Sequence, residues 1–235
     1  MRIAELLSRR TDLGTFLVHL TRLFDDVTGK ERLKTILATG SVEAKNAYGH
    51  AKSMLTDAIE LTSQRVVCFT ETPLEHLHLL TLPIDGRQFA FEPYGFAFTK
   101  RMGRSRGVNP VWYIDITPGH DWLTIPLNQM ITDAQKVGNF QDSNIAKLTP
   151  FIEQMGAQDG NYRKEFSWER EWRHRGDFRL PSKLIGICPS ADIEEMSQHA
   201  QQYHRNVVWI DPSFGLEEII GKLAGFAATD VGVPE

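Results

Sequence analysis

The sequence predicts an α+β fold in a single domain, and three observations support this prediction. Short apolar runs typical of β-strands alternate with segments in which apolar residues recur at helical spacing. With 235 residues, of which 41% are hydrophobic, the chain can bury a sizeable core. No internal repeat, low-complexity tract or proline- and serine-rich linker divides it, so residues 1–235 are interpreted as one domain.

Six apolar runs predict the strands. They cover residues 16–21, 66–70, 94–99, 111–116, 184–188 and 206–211. The first run is short and is interrupted by His19, so a helix is the alternative there.

Helices are predicted between these strands. Residues 31–39 carry apolar side chains at helical spacing, and Gly40 stands where a helix end favours a left-handed residue. Pro73 is typical of a first helical turn and predicts a helix that continues through Leu80.

The remaining segments give weaker patterns. Residues 127–158 are polar and predict a helical insertion at about 120–160, with Pro150 near the start of its second helix. Two further helices are predicted near the C-terminus, one ending near 203 and one over 215–226. Residues 41–64 are predicted to be a partly helical connection. Residues 1–14 are predicted to form a short helix or arm, and the tail from 227 to be frayed.

Composition and missing motifs narrow the function. The net charge of −4 means that any nucleic-acid contact must use a local basic patch. Cys68 and Cys188 each lie in an apolar run, which favours buried free thiols. The chain has no apolar run of about 18 residues and no signal-peptide pattern, so a cytoplasmic location is expected. Walker, GxGxxG, CxxC, HExxH and GxSxG motifs are absent from the sequence, which argues against Rossmann-type NAD binding, a zinc site and a serine nucleophile.

Residues 166–175 are the most informative stretch. As a strand, they would place Phe166, Trp168, Arg170 and Trp172 on one face. The opposite face would carry Ser167, Glu169, Glu171 and Arg173, with the two acids about 6–7 Å apart. Because two tryptophans can bury one face, the acids on the other face are candidates for chemistry. The alternative is a solvated helix in which Glu165, Glu169 and Arg173 follow one another at i, i+4 spacing.

The clearest basic patch lies between two predicted strands. Residues 100–107 carry Lys100, Arg101, Arg104 and Arg106 and no acid, and they are predicted to form a hairpin-like connection. Such a run is suited to phosphate contacts, and a solvated basic turn is the alternative.

Several of these segments together resemble a known family. His19 on an early strand, a helix ending in Thr39-Gly40, the segment Phe69-Thr70-Glu71-Thr72-Pro73-Leu74 and the late Glu169-Arg170-Glu171-Trp172-Arg173 follow one another in order. This order resembles the ADP-ribosyltransferase-like proteins of bacterial toxin–antitoxin and phage-defence systems, with the DarT-type and AbiGi-type abortive-infection groups nearest. The resemblance covers about residues 16–190 through short motifs.

The resemblance implies a fold and an activity. The fold would be an ADP-ribosyltransferase-like split antiparallel β-sandwich with surrounding helices and a central cleft for NAD, which is the substrate. The activity would be NAD-dependent mono-ADP-ribosyl transfer, a transferase reaction of the glycosyltransferase class. Glu171 would be the catalytic acid, and Glu169 the first acid of an ExE pair that orients the acceptor. The implied NAD-binding residues are His19, Thr21, Arg22, Phe69, Thr70 and Tyr94.

The implied biological role is that of a toxin or antiviral-defence effector. The acceptor would be a base of DNA or RNA, with Lys100, Arg101, Arg104 and Arg106 contacting the nucleic acid, and a protein acceptor is the alternative. A cognate antitoxin or a phage protein would be the protein partner, and no membrane contact is expected. A catalytically silent antitoxin or phage-sensing module on the same scaffold is the alternative. A metal-dependent nuclease using Glu169 and Glu171 is a third hypothesis, although no further acid and lysine at suitable spacing accompany them.

Overall fold

The computed structural model describes residues 14–83, 90–157, 163–165 and 167–225 of the chain. Within them the strands are Phe16–Leu20 (β1), Ser41–Val42 (β2), Asn46–Ala47 (β3), Arg65–Thr70 (β4), Gly95–Thr99 (β5), Asn109–Pro110 (β6), Trp112–Asp115 (β7), Ile152–Ala157 (β8), Arg163–Lys164 (β9), Glu171–Arg175 (β10), Phe178–Arg179 (β11), Lys183–Ile187 (β12) and Asn206–Ile210 (β13). All six predicted strands are therefore confirmed, with ends that differ by a residue or two.

The α-helices of the described residues are Gly29–Thr39 (α1), Ala58–Ser63 (α2), Leu77–Leu80 (α3), Lys100–Ser105 (α4), Thr124–Lys136 (α5), Asn144–Leu148 (α6), Ile193–Gln202 (α7) and Leu216–Ala224 (α8). Short 3₁₀ segments join several of them. Helices and mixed sheets together make this an α+β protein, which confirms the predicted class at that level.

The described chain divides into two compact units. One comprises residues 14–41, 70–83, 90–102 and 179–225, and the other comprises 42–69, 103–157, 163–165 and 167–178. We refer to them as the first and second units. The predicted single domain stays a prediction, because this division does not tell whether either unit folds alone.

The first unit is built on a sheet with the strand order β13-β12-β5-β1. Strand β5 runs antiparallel to both of its neighbours, whereas β12 and β13 are parallel and are joined through α7. Apolar side chains from the sheet pack with those of α3 and α8 into one buried cluster, which includes Val18, Leu77, Ile187 and Ile219.

Helix α1 shows how local sequence sets its bounds. The Thr28 hydroxyl oxygen accepts from the backbone N–H of Glu31, and the Glu31 carboxylate accepts from the backbone N–H of Thr28. Both hydrogen bonds of a capping box are therefore present. Gly40 ends the helix in the left-handed region at φ 70°. The predicted end of this helix is thus confirmed.

The second unit contains two groups of strands. Strand β4 lies between β3 and β10, with β6 next to β10, and a second sheet has the order β7-β8-β9. Strands β7 and β8 are parallel, with Tyr113 opposite Glu153. Its own buried cluster combines α5, α6 and β8 and includes Ile131, Phe140 and Ile152.

Three local predictions are wrong. Residues 152–157 form strand β8 instead of helix, and Pro150 follows α6 in a 3₁₀ turn instead of starting a helix. Parallel pairing with the distant β7 decides this segment, and a sequence window carries no trace of such a partner. The basic segment is helix α4 instead of a hairpin-like connection.

The helices predicted after Pro73 and near the C-terminus are confirmed, and residues 41–64 contain the strands β2 and β3 besides α2. Two further predictions fall at the ends of the chain. Residues 1–13 of the predicted N-terminal arm and the predicted C-terminal tail lie outside the described residues. Among the residues that are described, no helix is both long enough and apolar enough to cross a membrane.

Candidate functional site

A buried arginine organises the charged groups of the second unit. Arg173 lies on β10 and is 1% exposed. Its Nε donates to Oε1 of Glu171 at 2.9 Å, and its Nη2 donates to Oε2 of the same carboxylate at 2.8 Å. Residues two apart on a strand share a face, so β10 itself presents this bidentate pair. The predicted side-by-side placement of Glu171 and Arg173 is confirmed.

Further donors of Arg173 reach strand β8 and the turn before it. Nη1 donates to the carbonyl oxygen of Pro150 at 2.7 Å, and Nη2 also donates to Oε2 of Glu153 at 2.7 Å. Lys164 on β9 in turn donates to Oε1 of Glu153 at 2.7 Å. The result is a continuous network of two cations and two carboxylates, Glu171–Arg173–Glu153–Lys164, whose formal charges cancel.

Opposite charges within this network favour the ionised forms of Arg173 and Glu153. Burial opposes the charged form of Arg173, but the carboxylates of Glu171 and Glu153 outweigh it and hold the guanidinium pKa above its usual range. Burial would also raise the pKa of Glu153, yet Arg173 and Lys164 hold it below its ordinary value. Both groups are therefore charged at neutral pH.

Two neutral groups border the same carboxylates. Cys68 on β4 is hydrogen-bonded to Glu171, and burial together with the negative charge of Glu171 raises the pKa of its thiol well above normal. Burial, followed by the charge of Glu171, also raises the pKa of the Tyr113 phenol. Cys68 is thus a protonated thiol at neutral pH and a poor nucleophile.

The phenol of Tyr113 is an unusual group. Its Oη atom is shielded from solvent and has no hydrogen-bond partner among the described residues. Tyr113 stands directly opposite Glu153 in the β7–β8 pair. A buried hydroxyl without a partner costs free energy and is rare in native proteins, so it marks a position where a ligand atom could accept a hydrogen bond.

The second acid of the predicted pair lies in a different element. Ser167–Glu169 form a 3₁₀ turn, Arg170 has a left-handed backbone with φ 46°, and β10 begins only at Glu171. The predicted alternation over 166–173 is therefore wrong before Glu171, because the turn at Arg170 interrupts the strand. Trp172 is buried as predicted, whereas Trp168 is 47% exposed. Phe166 lies outside the described residues.

The predicted NAD-binding residues of the first unit have partners of their own. His19 lies on β1 with its ring 5.4 Å from that of Phe96. The hydroxyl of Thr21 lies 2.9 Å from the carbonyl oxygens of both Gly29 and Tyr94. These contacts tie β1 to the start of α1 and to the segment before β5.

Other predicted NAD contacts in this unit are likewise engaged. The Tyr94 hydroxyl donates to Asp192 at 2.7 Å, and burial together with that carboxylate raises the pKa of Tyr94 to about 12. The guanidinium of Arg22 lies 5.7 Å from the ring centre of Phe24, a cation–π arrangement. Thr70 shares a 2.9 Å hydrogen bond with Thr72.

Phe69 belongs to the second unit and is a core residue. It is 3% exposed and packs edge-on against Phe178 with ring centres 4.9 Å apart. Phe69 follows Cys68 on β4, and its buried ring packs in the core.

The side chains predicted to contact nucleic acid differ in how much of their positive charge is exposed and not neutralised by an acid. Lys100 forms an ion pair of 2.8 Å with Glu71, whose side chain is 10% exposed. Arg101, Arg104 and Arg106 are exposed. The guanidinium of Arg104 lies 5.4 Å from the ring centre of Trp172. The accessible positive charge of this segment thus comes from its arginines.

The sequence did not reveal Glu153, Lys164 or Tyr113 as members of the charged network. Glu153 lies in the segment predicted as helix, and its partnership with Arg173 depends on β8. The signal that was available is the sequence Glu171-Trp172-Arg173, since an acid and an arginine two apart on a strand can pair side by side.

Comparison of the chain with protein-family models, curated proteins and solved structures finds no match. Among the described residues, no group of three or more histidine, cysteine, aspartate or glutamate side chains is arranged to hold a metal ion.

Proposed function

We propose that this chain is an NAD-dependent mono-ADP-ribosyltransferase in which Glu171 is the catalytic carboxylate. The observation that carries the proposal is the state of this side chain, which is 16% exposed and held at both oxygens by Arg173. A partly accessible carboxylate that is held in position on a strand is what the reaction requires. The proposal includes an ADP-ribosyltransferase-like fold, although the expected antiparallel sandwich is corrected at β12–β13 and β7–β8, which are parallel pairs.

The chemistry explains why such a carboxylate matters. Breaking the bond between nicotinamide and ribose develops oxocarbenium character at the sugar carbon, as in glycoside cleavage. A carboxylate that accepts a hydrogen bond from a ribose hydroxyl stabilises this positive charge, and it does so best when it is preorganised. Arg173 donates one bond to each Glu171 oxygen and Cys68 is hydrogen-bonded to the same carboxylate, which leaves one of its four lone pairs for such a hydroxyl.

Other residues would contribute binding. Glu169, in the turn before β10, would orient the acceptor. His19, Thr21, Arg22, Thr70 and Tyr94 would contact NAD, with Arg22 supplying positive charge for the diphosphate. Phe69 would support the site from the core, because its ring is packed against Phe178.

The acceptor in this proposal is a base of DNA or RNA. The exposed guanidinium groups of Arg101, Arg104 and Arg106 support it, since arginine is suited to phosphate contacts. Lys100 has the smaller role, because Glu71 already neutralises it. The biological setting would be growth arrest or phage defence, controlled by a cognate antitoxin or triggered by a phage protein.

A specific observation favours a second candidate, a silent binding module on the same scaffold. Both oxygens of Glu171 are engaged by Arg173, which also joins β10 to Pro150 and Glu153. A carboxylate that is held by such contacts can have a purely structural role. The two candidates differ in turnover, so an activity assay separates them.

The experiment uses the full chain, NAD labelled in its adenylate half, and separate pools of single-stranded DNA, RNA and protein. The parent should release nicotinamide and transfer label to a nucleic-acid pool. Glu171→Gln should lower transfer by at least about 100-fold, the usual loss when one preorganised electrostatic group is removed from a site.

Glu153→Gln is the matched control, because it removes the other carboxylate that Arg173 contacts. If Glu171 is catalytic, Glu153→Gln should retain transfer within a few-fold while losing a similar amount of thermal stability. Equal losses of activity in the two variants would assign Glu171 to the fold. Absence of both nicotinamide release and label transfer in the parent would favour the silent module.

A further inference from the structure

The ring of Tyr48 lies against the arginine that holds Glu171. The guanidinium carbon Cζ of Arg173 is 5.3 Å from the centre of the Tyr48 ring, a cation–π arrangement. Arg173 donates to both carboxylate oxygens of Glu171, and the two residues share one face of β10. Tyr48 therefore borders the ion pair that contains the candidate catalytic carboxylate.

The backbone on both sides of Tyr48 is fixed by strand pairing and close packing. The Tyr48 N–H donates to the carbonyl oxygen of Gln64 at 3.1 Å, which extends the pairing of β3 with β4. Gly49 follows with φ 93°, and a Cβ atom at this position would lie 2.1 Å from the carbonyl oxygen of Thr149. The fold therefore holds the Tyr48 ring in place before any ligand binds, which lowers the cost of ordering it.

The two cations that contact this ring differ in their access to solvent. Arg173 is 1% exposed, whereas Lys52 is an exposed residue whose Nζ atom lies 5.6 Å from the same ring centre. Tyr48 itself is partly exposed. The buried guanidinium thus lies on the inner side of the ring and the ammonium on the side that faces water. Because a lysine ammonium is strongly hydrated and its stem is flexible, a planar ligand can replace it on the ring.

An accessible aromatic ring with a lysine beside it suits a nucleotide. Bases of every type stack on aromatic side chains, and a neighbouring cation contacts the phosphate. Lys52 forms no ion pair within the part of the chain that the structure describes, so its charge is available to a phosphate group. Tyr48 and Lys52 together therefore offer both of the contacts that a nucleotide needs.

The guanidinium of Arg104 lies on the other side of β10. It is placed over the ring of Trp172, and the side chains of Trp172 and Arg173 point to opposite faces of the strand. Arg104 can contact the backbone of a nucleic acid there, but it does not border the face on which Glu171 lies. A base that approaches Glu171 needs a contact on that face, where Tyr48 lies.

We propose that Tyr48 stacks on the acceptor base and that Lys52 contacts a phosphate of the same nucleic-acid strand. The stacked base is thereby held on the face of β10 that carries Glu171. The proposal rests on the proposed function for the reaction itself, but binding of a nucleic acid at Tyr48 is measurable without turnover. Tyr48 and Lys52 are substrate-binding residues in this arrangement, and neither takes part in the chemistry.

The first test measures binding of a fluorescein-labelled DNA or RNA single strand of about ten nucleotides to the full chain by fluorescence anisotropy. Tyr48→Leu should weaken binding by about 5- to 150-fold, the loss expected of one base–aromatic stack. Tyr48→Phe keeps the ring and should bind within about two-fold of the parent. Tyr203→Leu is the matched control, because Tyr203 is 42% exposed in the first unit, and it should leave the affinity unchanged.

The second test changes an exposed charge and leaves the packing around Arg173 intact. Lys52→Gln should reduce the slope of the logarithm of the binding constant against the logarithm of the salt concentration by about 0.7 to 1, the effect of one lost phosphate contact. Lys136→Gln is the matched control, because Lys136 is 68% exposed and forms an ion pair of 3.3 Å with Asp133. This control should keep the slope of the parent.

The outcomes separate this proposal from the proposed function. A parent that binds neither strand, an unchanged affinity in Tyr48→Leu or an unchanged salt slope in Lys52→Gln would each overturn it, whatever the enzymatic activity. If binding depends on Tyr48 and Lys52 but no label is transferred from NAD, the nucleotide site stands and the transferase function fails. If Tyr48→Leu lowers nicotinamide release and leaves strand binding unchanged, the ring contacts the nicotinamide of NAD instead of the base.

Discussion

The guanidinium of Arg173 donates to both carboxylate oxygens of Glu171, at 2.9 and 2.8 Å, from a position two residues further along the same strand. The Arg173 side chain of this pair is 2% exposed, so it is almost completely shielded from water. Taking a charge out of water is costly, and the cost is recovered only when all its donors are satisfied. Arg173 makes four such hydrogen bonds, two to Glu171, one to Glu153 and one to the carbonyl oxygen of Pro150.

The first prediction follows from this dependence. Arg173→Met should lower the free energy of unfolding by about 3–5 kcal/mol, because it leaves the largely shielded Glu171 carboxylate without its cation and Glu153 with Lys164 alone. Urea denaturation followed by circular dichroism measures the loss. Arg179→Met, at an exposed position, is the control and should change stability by no more than about 0.5 kcal/mol. Similar losses in both variants would show that the network contributes little.

The second prediction concerns acid stability. Arg173 and Lys164 outweigh burial and lower the pKa of Glu153 in the folded state, so the unfolded state binds more protons in the acid range. The stability from this carboxylate is present above its unfolded pKa and is lost as the pH falls through the lower folded value. Glu153→Gln should cost about 1–3 kcal/mol at neutral pH. It should also lose less stability than the parent between pH 6 and pH 3.

The measurement is denaturant unfolding at both pH values. Glu43→Gln is the control, since Glu43 forms a surface ion pair of 3.7 Å with Lys45 and its side chain is 65% exposed. This variant should follow the parent at both pH values. If Glu153→Gln and the parent lose equal stability on acidification, the coupling of Glu153 to the two cations is wrong.

The third prediction uses the solvent-shielded phenol of Tyr113. Because its hydroxyl has no hydrogen-bond partner in the part of the chain that the structure describes, Tyr113→Phe should raise the free energy of unfolding by about 1 kcal/mol. Tyr94→Phe is the matched control and should lower it by about 1–2 kcal/mol, because the Tyr94 hydroxyl donates to Asp192. Thermal unfolding of the two variants measures both signs. A clear loss in Tyr113→Phe would show that the phenol has a partner in solution.

Local sequence was sufficient for much of the fold. Strands such as β4 and β12 have continuous apolar runs, and α1 carries its own end signal at Gly40, so a window of a few residues contains the information. For strand β8, local sequence was not sufficient. The segment Ile152–Ala157 pairs along its first four residues with β7, which is too distant in sequence to enter the same window, and only its end pairs with the nearby β9.

The same distinction applies to the candidate site. Glu171 and Arg173 could be placed side by side because two residues on one strand share a face. Glu153 and Lys164 could not be recognised from the sequence. Glu153 of β8 accepts a hydrogen bond from Arg173 of β10 only in the folded chain, and Lys164 joins the network through Glu153. Glu169 was misplaced because a single left-handed residue, Arg170, ends the alternation that was extended through it.

The last prediction concerns a turn that holds two aspartates in an unfavourable backbone conformation. Phe24 and Val27 exchange two backbone hydrogen bonds of 3.2 Å, and the two residues between them, Asp25 and Asp26, have φ of 51° and 58°. Positive φ at both central positions defines the type I′ turn, whose second position favours glycine. Asp26→Gly should therefore raise the free energy of unfolding by about 0.5–1 kcal/mol.

Removing the charge alone could also stabilise this turn, since the two carboxylates are neighbours. Asp26→Ala separates the two causes, because alanine lacks the charge but keeps the Cβ atom that disfavours positive φ. Only the glycine variant should gain stability in chemical denaturation if the backbone is the cause. Equal gains in both variants would instead assign the effect to repulsion between Asp25 and Asp26.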